Sequence, residues 1–189
     1  MLPETVLFEV TLGVDIMRTE MTIEWFRQIL SSGSRPEITW ALGTLLDNQA
    51  TAAAVFADLW WLLFTKTGKE DLVVRTAAAE TIAFFAADQP WICEMLASRL
   101  KLKGEFPEER AGAAYAIGCM WTIGYKFGPE LMEALDCEND PRTRARIIQA
   151  LGRIKYTPAM AEVMKYLQDP DSDTLRFARK ACAELSGAA

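Results

Sequence analysis

The side chains that could do chemistry in this sequence are carboxylates, arginines, tryptophans and four cysteines, because the chain contains no histidine. Without histidine there is no Ser-His or Cys-His nucleophile, no histidine general base and no histidine metal ligand. Neither a G-x-S-x-G nucleophile turn nor a glycine-rich phosphate loop occurs. We therefore predict no catalytic residues, no metal site and no cofactor, which favours a non-enzymatic protein.

A run of alternating aspartates, Asp169-Pro-Asp171-Ser-Asp173, is similar to the opening of a calcium-binding loop. The rest of that loop is missing, since Thr174 stands at the position of the turn glycine and Lys180 at that of the bidentate glutamate. We interpret these aspartates as acidic caps at the start of the last helix.

Two adjacent tryptophans, Trp60 and Trp61, lie in an apolar helical stretch. Neighbouring helical residues point about 100° apart, so we expect one indole to pack inward with Phe56 and Leu63 and the other to be partly exposed. Either protein surrounds this helix on all sides, or the exposed indole anchors a partner, including a second copy in a homodimer. The other tryptophans, which we expect to be core or hairpin-packing residues, are Trp25, Trp40, Trp91 and Trp121.

The cysteines and the charge point to a compartment and exclude some partners. Because no C-x-x-C pair occurs, Cys93, Cys119, Cys137 and Cys182 are predicted to be buried free thiols, which fits the reducing cytoplasm.

A net charge of −6 opposes a role that depends on neutralising nucleic-acid phosphates. The most apolar stretch, 50–65, is too short to span a bilayer comfortably, so we expect no membrane partner. Residues 1–95 hold 6 basic and 13 acidic residues, so that end should attract a basic or neutral partner.

A repeat of 32 to 40 residues runs through the chain. In three segments an arginine is followed six to eight residues later by Ala-Leu/Ile-Gly: Arg35–Gly43, Arg110–Gly118 and Arg144–Gly152. Arg75 begins a further copy and Arg176 a looser one. A fixed period of this length is typical of solenoids.

Prolines and caps divide each period into two helices, and no strand pattern competes with them. The predicted helices are 4–17, 20–31, 36–47, 50–66, 70–87, 90–103, 107–127, 129–138, 141–155, 158–168 and 172–186. Because only a neighbouring pair can cover the apolar face of each pair, we predict one all-α domain, an α-solenoid of about five antiparallel hairpins. The approximate units are 1–33, 34–67, 69–104, 106–138 and 140–169, with a C-terminal helix at 172–186.

Residues 70–186, and also 33–66, resemble HEAT repeats of the short bacterial kind also described as phycobilisome-lyase-like. The first helix of that repeat carries the pattern acid…Val-Arg-x-x-Ala-x-x-Ala-Leu-Gly, which Val74-Arg75 and Arg144 to Gly152 match best, with Asp140 in the turn before the latter. Helix 107–127 is longer than the pattern, and the tryptophan-rich N-terminal third departs from it. The resemblance implies a superhelix whose concave surface holds another protein.

The resemblance also implies that second helices line the concave side. One carboxylate per unit falls at an outward position of these helices, and we name this set the acidic strip: Glu24, Asp58, Glu94, Glu133 and Glu162. With Trp61 and Tyr166 the acidic strip would form a groove for a basic, partly aromatic or helical peptide. The alternative is that these carboxylates are ordinary solvated helix faces.

The sequence has one basic cluster: Arg142, Arg144, Arg146, Arg153 and Lys155. The resemblance implies that Arg144, the arginine of its repeat, pairs with acidic residues of the neighbouring unit in an intramolecular ladder. A site for phosphate or for an acidic partner is the alternative.

A non-enzymatic scaffold that binds another protein is therefore the leading hypothesis for function. The resemblance also suggests a bilin lyase or isomerase-type subunit. A third possibility is a HEAT-like alkylpurine DNA glycosylase, which uses tryptophans and an aspartate in a basic groove; the acidic pI of 4.8 opposes it.

Overall fold

The computed structural model describes residues 21–65, 71–86, 89–102 and 107–187, and these ranges are helical with no strand. Their α-helices are α1 (Ile23–Ser32), α2 (Arg35–Leu45), α3 (Gln49–Ala54), α4 (Phe56–Thr65), α5 (Leu72–Ala86), α6 (Pro90–Leu100), α7 (Pro107–Cys119), α8 (Gly128–Cys137), α9 (Pro141–Arg153), α10 (Met160–Met164) and α11 (Ser172–Leu185). Short 3-10 segments flank α8 and α10 at Gly124–Phe127, Thr157–Ala159 and Lys165–Gln168. The predicted all-α class is confirmed, and the predicted helix 4–17 lies outside the described residues.

Local capping sets several helix starts where the sequence predicts them. The backbone N–H of Ser34 donates to the Glu37 carboxylate (2.7 Å) in a capping box before α2. Asp171 accepts from the Thr174 N–H (2.7 Å) at the start of α11, and Asp140 caps α9 in the same way. These bonds span three residues, so the chain needs no tertiary contact to make them.

Two predicted helices are interrupted in the structure. The predicted helix 107–127 ends at Cys119, and Trp121 adopts a positive φ of 50° in the turn that follows. The predicted helix 50–66 is two helices, because Val55 leaves helical geometry between α3 and α4.

The helices form two layers. The first layer consists of α2, α5, α7, α9 and α11, and the second of α1, α4, α6, α8 and α10. The most extensive pairing across the layers joins each second-layer helix to the first-layer helix that follows it, as in α6 with α7. The predicted units start one helix later and pair each first-layer helix with the second-layer helix that comes next.

The first layer is the more closely spaced. Gly118 of α7 faces Ala150 of α9, and Gly152 of α9 faces Ala181 of α11, so the backbones of these helices nearly touch. In the second layer α6 and α8 make far fewer contacts. The first layer is therefore the more tightly packed of the two, and we name the surface that it presents the inner face. The expectation that the second helices line a concave surface stays a prediction.

The repeat arginines tie successive units together. Three of them make an ion pair with a carboxylate further along the chain: Arg75 with Glu108 (2.9 Å), Arg110 with Glu138 (2.7 Å) and Arg144 with Asp169 (3.4 Å). The ladder expected for Arg144 is confirmed.

None of the helices in the described ranges combines the length and apolar character needed to cross a bilayer.

Candidate functional site

Equivalent positions in successive repeats bring one group of side chains together on the inner face. Residues two, five and nine positions after each repeat arginine share one side of their helix, because these offsets follow helical periodicity. We name the polar members of three adjacent helices the inner-face cluster. It consists of Glu80 on α5, Tyr115 and Cys119 on α7, and Arg146 and Arg153 on α9.

Tyr115 is the centre of the inner-face cluster. The guanidinium carbons of Arg146 and Arg153 lie 5.0 and 4.8 Å from the centroid of its ring, so the phenol has two cation–π partners. Its hydroxyl donates to a carboxylate oxygen of Glu80 (2.9 Å). Arg153 donates to the Cys119 sulfur (3.2 Å). These contacts join α5, α7 and α9.

Arg146 is held from two further sides. Its guanidinium donates to the side-chain oxygen of Gln149 (2.8 Å), one turn further along α9. The ring of Phe177 on α11 lies 5.7 Å from its guanidinium carbon. The guanidinium is therefore held in place by uncharged groups.

Burial keeps the two acidic protons of the cluster in place. It raises the pKa of the Tyr115 hydroxyl to about 12 and that of the Cys119 thiol to about 11. At neutral pH both groups are therefore uncharged, and Cys119 is not an activated nucleophile. The cluster can bind through its positive charge and its hydrogen-bond donors.

The positive charge of the cluster is not balanced by a direct ion pair. Among the residues that the structure describes, no carboxylate lies within ion-pair distance of Arg146 or Arg153. Burial lowers the pKa of Arg146, and the positive charges of Arg153 and Arg75 act in the same direction. Arginine nevertheless stays protonated at physiological pH.

An open apolar groove adjoins the inner-face cluster. Arg153 and Cys119 form one side of it, and Leu46, Phe84 and Trp121 contribute its apolar lining. The side chain of Phe84 is 49% exposed and that of Trp121 is 62% exposed. Large apolar side chains left this open beside partly buried cations are typical of a binding surface.

The acidic strip lies on the opposite layer from this groove. Its residues belong to α1, α4, α6, α8 and α10, which form the second layer. Two of them approach Arg27, Glu24 at 3.5 Å and Asp58 at 3.8 Å, and Glu162 is bonded to Lys165. The Tyr166 ring lies 5.7 Å from the Arg144 guanidinium carbon. A role of the strip in partner binding stays a prediction.

The tryptophans are divided differently from the prediction. Trp60 packs against Phe56 and Phe64, with ring centroids 5.6 and 4.7 Å apart, while the neighbouring Trp61 is exposed, as predicted for the pair. The remaining tryptophans were expected to be core or hairpin-packing residues. Trp40 and Trp91 are partly exposed but pack on Trp25 and Phe56, with ring centroids 5.7 and 5.1 Å apart. The interpretation as a core residue is wrong for Trp121, which is exposed.

The other predicted sites have structural explanations. Asp171 caps α11, Asp169 accepts from the Asp171 N–H (2.9 Å), and Asp173 pairs with Arg176 (2.7 Å). In the described ranges no group of three acidic or cysteine side chains is placed to hold a metal ion. The four cysteines are free thiols as predicted, but only Cys93 is buried; Cys119 and Cys182 are partly buried and Cys137 is exposed.

Sequence reasoning grouped Arg146 and Arg153 with the basic cluster and did not single out Tyr115 or Glu80. The signal that could have found them is the repeat register. Glu80, Tyr115 and Gln149 all stand five residues after a repeat arginine, and Cys119 and Arg153 stand nine residues after one. Aligning repeats by these offsets shows which side chains neighbour one another across helices.

Comparison with known proteins supports the repeat assignment. Residues 94–184 match the family model described as HEAT repeats. No curated protein matches the chain in sequence. The fold is similar to a chain in the structure of the complex of CpcE and CpcF of phycocyanin lyase from Nostoc sp. PCC7120. The two chains are 19% identical with a TM-score of 0.56, over 98% of this chain and 71% of that one. Residues 94–184 therefore form HEAT-like helical repeats, and the chain has an all-α solenoid fold similar to that of the chain in the phycocyanin lyase complex.

Proposed function

We propose that this chain is a non-enzymatic scaffold that binds another protein through the inner face of its solenoid. The observation that carries this proposal is the apolar groove beside the inner-face cluster, where Phe84 and Trp121 present large exposed rings. Aromatic side chains supply much of the binding energy in protein interfaces. Here they lie next to partly buried cations, which add specificity.

The chemistry of the inner face supports binding over catalysis. A nucleophile needs a partner base or a lowered pKa, whereas the pKa of Cys119 is raised to about 11 and its sulfur accepts a hydrogen bond from Arg153. The Tyr115 hydroxyl is engaged by Glu80. These groups therefore suit a binding surface better than a catalytic centre.

The structural neighbour is itself part of an assembly of two different chains, CpcE and CpcF. That observation supports a protein partner for a solenoid of this fold. We expect the identity of the partner to be determined by the side chains of the inner face.

Site-directed photo-crosslinking in the native host tests the proposal. A benzoylphenylalanine at position 84 is expected to capture a specific protein, and Trp121→Ala in the same chain should reduce that capture. The matched control places the same probe at Glu133, an exposed position of the acidic strip on the second layer. Capture from position 133 with none from position 84 would overturn the inner-face proposal and favour the acidic strip.

A second candidate is a bilin lyase or isomerase-type subunit, favoured by the fold similarity to phycocyanin lyase. Its test is direct: the purified chain, alone and with its captured partner, is mixed with an open-chain tetrapyrrole. Binding should shift the visible absorbance of the pigment. An unchanged spectrum in both mixtures contradicts this candidate.

A further inference from the structure

We infer that the inner-face cluster binds an acidic segment of the partner protein, in which a carboxylate side chain stands close to a large apolar one. This inference rests on the proposed function and specifies the chemistry of the segment bound. The carboxylate would contact Arg146 and Arg153, and the apolar side chain would enter the groove beside Trp121.

The first step is that these two arginines differ from the repeat arginines. Arg75, Arg110 and Arg144 each have a carboxylate partner. Among the described residues neither Arg146 nor Arg153 has one, although both side chains are partly buried. A partly buried cation without a counter-ion is costly, and the cation–π contacts with Tyr115 offset only part of that cost.

The second step is that the cluster holds two guanidinium groups and only one carboxylate among the described residues. That carboxylate is Glu80, which lines the groove with Arg153 and accepts from the Tyr115 hydroxyl (2.9 Å). On α11, Asp173 is paired with Arg176 (2.7 Å) and Glu184 lies 3.8 Å from Lys180. The positive charge of the cluster is therefore available to a carboxylate from outside.

The third step is the shape of the neighbouring surface. Arg153 belongs to the inner-face cluster and also lines the apolar groove, together with Phe84 and Trp121. A guanidinium can hold a carboxylate through two parallel hydrogen bonds, which fixes its orientation. A side chain adjacent to that carboxylate then falls into the groove. The segment predicted is Asp or Glu within a few residues of Leu, Phe or Trp.

Selection from a displayed library of random dodecapeptides on the immobilised full-length chain tests this inference. Selected peptides should be enriched in Asp or Glu close to large apolar residues. In a binding titration, changing the acidic residue of the peptide to its amide should weaken affinity about tenfold or more, since loss of a desolvated charge contact costs at least 1.4 kcal/mol. This change leaves the protein unaltered, so misfolding cannot explain the result.

Protein variants locate the contact. Arg146→Gln and Arg153→Gln should each weaken peptide affinity about tenfold, and Arg146→Lys should recover part of the loss because it keeps the charge. The matched control is Arg142→Gln on the same helix, whose side chain is 60% exposed and which makes the same change in net charge. It should leave affinity unchanged.

Several outcomes would overturn the inference. They are selection of basic peptides, absence of any enriched peptide, or an effect of Arg142→Gln as large as that of Arg146→Gln. If one of these occurs while crosslinking from position 84 still captures a partner, the scaffold proposal stands and only the acidic-segment inference fails. Loss of both signals overturns the two together.

Discussion

A Cβ atom placed on Gly118 would lie 2.9 Å from the Cα of Ala150, a distance that real Cβ atoms do not adopt. Gly152 and Ala181 repeat the relationship one unit later, at 2.8 Å. In α7 and α9 the glycine that closes the Ala-Leu/Ile-Gly motif therefore allows two first-layer helices to approach closely. This spacing brings Tyr115 to the arginines of α9.

The first prediction concerns this packing. Gly118→Ala should destabilise the chain relative to Gly43→Ala by about 1–3 kcal/mol, the usual cost of overpacking. Gly43 is the matched control, because an added Cβ there meets nothing within 4 Å. Both substitutions share the same gain in helix propensity, so it cancels in the comparison. Denaturant unfolding measures the difference, and equal stability of the two variants would contradict the packing role.

The second prediction concerns the buried rung of the arginine ladder. Arg110 and Glu138 are bonded through two hydrogen bonds (2.7 and 2.9 Å), with side chains 12% and 3% exposed. Glu138→Ala should lower the free energy of unfolding by about 3 kcal/mol, since it removes the carboxylate from a largely buried guanidinium. Asp173→Ala breaks the exposed pair with Arg176 and should cost less than about 1 kcal/mol. Similar losses in the two variants would contradict the difference in burial.

The third prediction concerns the cap of α11 and its dependence on pH. The hydrogen bond from the Thr174 N–H lowers the pKa of Asp171 from its ordinary value of 3.8. A carboxyl with a lowered pKa in the folded state stabilises the fold above pH 3.8, and this stabilisation is lost as pH falls through the lowered value. The melting temperature of Asp171→Asn should therefore fall less steeply over that acid range than that of the natural chain.

Asp171→Ala is the companion variant for the cap. It removes the acceptor itself and should cost about 1 kcal/mol at neutral pH, whereas Asp171→Asn keeps an oxygen that can cap the helix. Thermal unfolding monitored by circular dichroism across a pH series provides both results. Parallel pH profiles for Asp171→Asn and the natural chain would show that Asp171 does not contribute to acid sensitivity.

The fourth prediction concerns thiol reactivity. Cys137 is exposed, whereas Cys93 is buried and burial raises the pKa of Cys119 to about 11. Since the thiolate is the reactive form, a thiol reagent at neutral pH should modify Cys137 quickly and Cys119 only slowly. Mass spectrometry of alkylated peptides over time gives the order of modification. Cys137→Ser should remove the fast phase, and fast labelling of Cys119 in the folded chain would contradict its placement.

The features that sequence reasoning predicted well are those made within a few residues. The Ser34–Glu37 capping box and the Asp171 cap each span three residues, so the backbone forms them from local preferences. The ladder pair of Arg144 with Asp169 was also predictable, because the repeat places equivalent residues at equivalent positions. The two-layer fold followed from the same periodicity.

The features that were missed depend on how the units pack. Helix 107–127 was predicted to continue, but Gly124 lies against Ile117 and the chain turns at Trp121 with a positive φ. Nothing in the local pattern of residues 119–123 signals a stop.

The sequence by itself determined an all-α chain of stacked helix pairs, since helix caps, periodicity and the repeated arginine are properties of short segments. Tertiary structure alone decided which residues form the candidate site. Tyr115 and Arg146 stand 31 positions apart in different repeats, and they meet because Gly118 allows α7 and α9 to approach closely. The physical reason is that contacts between units depend on the translation from one unit to the next, which close packing of side chains sets and no single repeat contains.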